Sequence, residues 1–95
     1  MEETHNIEYK RQWRDEWLQW ICGFANAEGG IINIGLDDHG NPVGLDKIKK
    51  LMEDIPSKII NKLGIVPDVK QLTKDGIDYI EITVKASNVP ILLDG

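Results

Sequence analysis

The run Ile31-Ile32-Asn33-Ile34-Gly35-Leu36, entered through Gly29-Gly30, limits the possible folds more than any other stretch. It is short, apolar and rich in β-branched residues, which suits a strand in a sheet interior. The preceding Phe24-Ala25-Asn26-Ala27-Glu28 reads as the end of a helix. Gly29 and Gly30 can take the positive φ that a chain leaving a helix commonly needs. Asp37 to Asn41 is polar and carries Gly40, as a hairpin loop should, and Val43 begins a short return. The plain reading of this loop is a connection. A sharper reading holds Asp38 on a rigid strand end beside the N-terminal acids.

The remaining elements follow from periodicity. Trp13, Trp17, Trp20, Ile21 and Phe24 recur at helical spacing and predict a helix over 10–27 with one apolar face. Core lining explains these tryptophans better than base stacking, because the stripe continues into Ile21 and Phe24. Trp13, nearest the exposed end, would also suit a dimer contact. Upstream, Asn6 to Lys10 reads as an edge strand or as a frayed lead-in. Ile48, Leu51, Met52, Ile55, Ile59 and Leu63 predict a second helical region over 45–63. Pro56 should kink it or divide it, and Gly64 should end it. A strand over 69–72 and the Asp75-Gly76 turn lead into a strand over 77–85, with Ile80, Ile82 and Val84 on one face. Ile91 to Leu93 reads as the start of a further strand. The expected fold is α+β: a mainly antiparallel or mixed sheet of four to five strands with two main helices packed on one face.

The net charge of −5 restricts function. A domain that grips nucleic acid through its backbone is usually basic. Contact here must rest on a local patch, on a metal, or on other parts of a larger protein. Two groups are available: Lys10, Arg11 and Arg14, and then Lys47, Lys49 and Lys50. For the second group a solvated helix surface is the alternative, since Asp46, Glu53 and Asp54 dilute its field. Glu3, Glu8 and Asp38 are the candidate catalytic acids. If they converge, three carboxylates require protons or a divalent cation such as Mg²⁺ or Mn²⁺. Such an ion would polarise a phosphodiester and activate water, with Lys10 stabilising phosphate charge. Three unrelated surface acids are the plainer explanation.

Other chemistries are not supported. Gly29-Gly30 follows a helix C-terminus, where the dipole repels anions, and there is no P-loop. His5, His39 and Cys22 lack zinc-site spacing. Cys22, alone, excludes an internal disulfide, reads as a buried inert thiol and fits a reducing cytoplasm. No apolar run is long enough to cross a bilayer. The Asn26 amide is expected to satisfy backbone groups around the Gly-Gly turn.

Phe-Ala-Asn-x-x-Gly-Gly, an apolar strand, Gly-x-Asp-Asp, a turn and Val-Gly form one ordered pattern. Glu3-Thr4-His5-Asn6-Ile7-Glu8-Tyr9-Lys10 supplies a second, upstream element, Glu-x-x-x-x-Glu-aromatic-Lys. Together they resemble the Schlafen AlbA-like domain of bacterial transcriptional regulators and Schlafen proteins, over nearly the whole chain. The resemblance implies a single domain over 1–95 that stops short of the family's last strand. It implies a cytoplasmic, bacterial-type protein with further domains that binds DNA or RNA. Its alternative is a metal-dependent endoribonuclease lobe with Glu3, Glu8 and Asp38 as catalytic and metal-binding residues; in Schlafen proteins that activity also involves a second, similar lobe. A third class is a structural or homodimerising unit, using Trp13 and an unpaired sheet edge.

Overall fold

A computed structural model describes residues 6–93. Strand β1 (Ile7–Lys10) leads through one 3-10 turn (Asp15–Trp17) into helix α1 (Leu18–Ala25). Strand β2 (Gly30–Ile34), helix α2 (Ile48–Leu63) and strands β3 (Asp68–Lys74) and β4 (Ile77–Val84) follow. The sheet order is β1-β2-β4-β3, with β1 parallel to β2 and the other pairs antiparallel. The fold is therefore α+β with a mixed four-stranded sheet, as expected.

The β2–β4 register aligns Ile32 with Ile82 and Ile34 with Ile80, so all four stand on one face. Leu18, Ile21, Phe24 and Ala25 of α1 and Ile55, Ile59 and Leu63 of α2 close over them in one core. Cutting any of these isoleucines to alanine would cost about 2–5 kcal/mol. The other sheet face, bearing Tyr9, Asn33, Tyr79 and Glu81, lines an open pocket.

Local chemistry explains the glycine break. Gly29 takes φ +87, and a Cβ there would lie 2.6 Å from the Val84 carbonyl. Gly30 does not need positive φ; it is needed because a Cβ would lie 2.6 Å from the Phe24 ring. The Asp75-Gly76 turn has φ of 54 and 76, the two positive values of a tight two-residue hairpin.

Several expectations are corrected. The first helix starts at Leu18, not Lys10, because Lys10 is committed to pairing with β2. Its buried stripe is Leu18, Ile21, Phe24 and Ala25. Trp20 leaves the core at 41% exposure, while Trp13 and Trp17 pack on the core's border. Helix α2 starts at Ile48, not Leu45, and runs unbroken through Pro56. Ile91 to Leu93 forms no strand; Ile91 is instead bound by the Asn26 side chain.

Candidate functional site

After β1 the chain turns outward, and Arg11, Gln12 and Trp13 run beside Gly44, Leu45 and Asp46. With Leu51 they line a groove of about 490 Å³. Between Asp46 and Leu51 the chain carries Lys47, Lys49 and Lys50, all exposed. Lys47 takes φ 56 and swings the backbone into α2. Among the described residues no side chain caps α2, and its first turn holds no acid. Its leading amides and positive dipole end therefore add to the lysine charge. Lys50 pairs with Asp54 at 3.4 Å, in an exposed pair worth little.

The predicted basic residues thus divide. Arg11 and Leu51, in the first turn of α2, line one groove, although forty residues separate them in the chain. Lys10 does not line it. Its ammonium lies 4.4 Å from the Trp17 ring centre, 5.0 Å from that of Trp20 and 3.5 Å from Glu8. Arg14 pairs with Glu16 at 3.3 Å.

Glu3 lies outside the described residues. Glu8 pairs with Ile32 in the parallel register, so its side chain stands on the helix side of the sheet. Asp38 is exposed in the turn after β2. That turn folds toward the other side: an added Cβ on Gly40 would meet the Tyr9 ring at 3.5 Å, and Lys74 Nζ donates to the Gly40 carbonyl at 2.9 Å. Among the described residues, no three His, Cys, Asp or Glu side chains are grouped to hold a metal ion.

The acid that shapes this turn is Asp37, which sequence reasoning passed over in favour of Asp38. Its Oδ1 accepts the amides of Asn41 at 2.9 Å and His39 at 2.8 Å. The Asn41 bond, chiefly, holds the Asp37 carboxyl below its ordinary value, and the His39 amide and the charges of His39 and Arg11 add to it. The signal was present, since an Asx turn is what an aspartate before a glycine-bearing loop forms. Asn33 and Glu81 were also missed, although a lone polar residue inside an isoleucine run marks a change of face.

The family model described as Schlafen, AlbA_2 matches residues 3–93. No curated protein matches the chain. Among solved structures, the N-terminal domain of a RecG-related protein from Nitrosomonas europaea superposes with a TM-score of 0.84 at 23% identity, over 100% of this chain and 74% of that one. The DIP2311 protein from Corynebacterium diphtheriae superposes with a TM-score of 0.73 at 21% identity, over 96% of this chain and 20% of that one. At these identities the likeness is one of fold. The chain spans about one fifth of DIP2311.

Proposed function

This chain belongs to the Schlafen AlbA_2 family, and we propose that it is the nucleic-acid-binding domain of a larger, cytoplasmic transcriptional regulator. The observation that carries the reading is the groove that Arg11 lines with Asp46 and Leu51 at the uncapped start of α2; the exposed Lys47, Lys49 and Lys50 lie between those last two residues in the chain, outside the groove lining. Phosphates are drawn to such helix starts by amides and dipole together. A local patch of this kind also reconciles binding with a net charge of −5. Family membership supports the same reading, as does the RecG-related neighbour, whose name links it to a DNA helicase.

The test is the salt dependence of binding to labelled duplex DNA and structured RNA, followed by anisotropy. About three or four phosphate contacts predict a log–log slope of about −3. Absence of binding, or binding indifferent to salt, contradicts the reading. Repeating the titration with Mn²⁺ and with chelator separates it from an RNA-cleaving lobe that uses Glu3, Glu8 and Asp38. Metal-dependent cutting that Asp38→Ala abolishes would favour that lobe.

A further inference from the structure

The sheet face opposite the helices holds a second site. Register pairing places Tyr9 beside Asn33 and Asn33 beside Glu81, so the three form one row across β1, β2 and β4. Side chains paired in this way stand about 5 Å apart on the same face. Tyr79, two residues from Glu81, shares that face. All four line a pocket of about 500 Å³, bordered by Ile31 and by Lys74. That volume is in the range of small-molecule sites.

Asn33 is the unusual member. It is 7% exposed and is the one buried polar residue among those described. No hydrogen bond within the described residues engages its carboxamide, yet it has no sealed, unsatisfied polar atom. Its polar atoms therefore open on the pocket it lines. A buried amide with no internal partner gains most from a ligand that supplies one. Beside it, the Glu81 carboxylate, which can only accept, has no hydrogen-bond or ion-pair partner among the described residues.

We propose that this pocket takes one unpaired guanine base of a bound nucleic acid. Glu81 accepts from the base N1–H and N2–H, Asn33 donates to O6, and the Tyr9 and Tyr79 rings provide aromatic walls. A carboxylate beside an amide selects an edge with two adjacent donors and one acceptor, which guanine alone among the common bases presents. Adenine and cytosine each offer one donor group on that edge, and uracil offers one donor between two acceptors. Aromatic walls favour any base, so discrimination rests on the polar pair. Lys74, anchored on the Gly40 carbonyl, supplies positive charge at the border for the attached phosphate. The inference rests on the nucleic-acid reading and deepens it, but it uses a different surface from the Arg11 groove.

The experiment is an NMR titration of the ¹⁵N-labelled chain with GMP, AMP, CMP and inorganic phosphate. GMP is expected to shift the Asn33 side-chain amide and the Glu81 backbone, and to bind at least about tenfold tighter than AMP or CMP. Glu81→Gln is expected to remove that preference while leaving the salt slope for oligonucleotides unchanged. Equal binding of the three nucleotides overturns the proposal. So do shifts reproduced by phosphate alone, shifts confined to Arg11 and the start of α2, or no shifts. If any of these accompanies salt-dependent DNA or RNA binding, the pocket falls and the domain's function stands. A guanine preference at Asn33 without polymer binding would have the opposite meaning.

Discussion

Asn26 and Ile91 form a closed pair. The Ile91 N–H donates to Asn26 Oδ1 and Asn26 Nδ2 donates to the Ile91 carbonyl, both at 2.7 Å. One side chain at the end of α1 thus acts as a strand neighbour for a segment 65 residues later. The Cys22 thiol donates to the same carbonyl at 3.3 Å, and the Ser87 amide donates to the Ala25 carbonyl at 2.7 Å. Together these bonds fasten the chain after β4 across the end of α1, where Ile91 is buried.

Asn26→Ala should therefore destabilise the domain by about 1–3 kcal/mol, the worth of two hydrogen bonds to a partly buried backbone. Urea unfolding followed by tryptophan fluorescence measures it. The midpoint should fall with little change in slope. An unmoved midpoint would mean that the pair contributes nothing.

Glycine-to-alanine substitutions should change sign with position. Gly30→Ala places a methyl 2.6 Å from the Phe24 ring and 2.7 Å from the Asn6 carbonyl. Overpacking of this kind costs about 1–3 kcal/mol. Gly23, inside α1, has nothing within 4 Å of an added Cβ. Gly23→Ala should stabilise by about 0.5–1 kcal/mol through helix propensity alone. Thermal melts of the two variants should move in opposite directions.

These residues also mark what was legible in the sequence. Chain-local chemistry was readable: the Asp75-Gly76 turn, the Ile80-Ile82-Val84 alternation and the β2 core. Features that depend on distant partners were not. Tryptophan spacing alone cannot place the start of a helix, and the Trp17 indole instead donates to the Gln12 carbonyl in the approach to it. Trp20 has helical spacing but leaves the core to lie beneath Lys10, a contact set by the β1–β2 register. Ile91 reads as strand-forming, yet Asn26 binds it outside any strand. For the candidate site, the basic residues were readable but their grouping was not: Lys10 and Arg14, grouped with Arg11 by sequence, turn to Trp17 and Glu16 instead. That Arg11 and the start of α2 share a groove depends on how loop 44–46 returns to the chain after β1. The row of Tyr9, Asn33 and Glu81 depends on two strand registers that no local pattern fixes.

Asp15 provides a pH test. Lys58 Nζ donates to its Oδ1 at 2.6 Å and the Trp13 indole donates to it at 2.9 Å, and these bonds, Lys58 first, hold its carboxyl below the ordinary 3.8. A depressed folded value means that the contribution is complete above about pH 3.8 and is lost as pH falls through the folded value. The pair is exposed, so the contribution should be under about 1 kcal/mol. Lys58→Met should raise the Asp15 value measured by NMR, and the stability gap from wild type at neutral pH should close below about pH 3.8. An unshifted Asp15 titration would remove Lys58 as the cause.

Phosphate binding at the start of α2 is tested most sharply by the salt slope of duplex DNA and RNA binding in an Arg11→Gln, Lys49→Gln, Lys50→Gln variant. All three side chains are exposed, so the melting temperature should not move. If the groove beside the start of α2 grips phosphates, binding weakens uniformly across sequences and the slope shrinks by about one for each contact removed. Unchanged affinity and slope in a folded variant would mean that this surface does not hold nucleic acid.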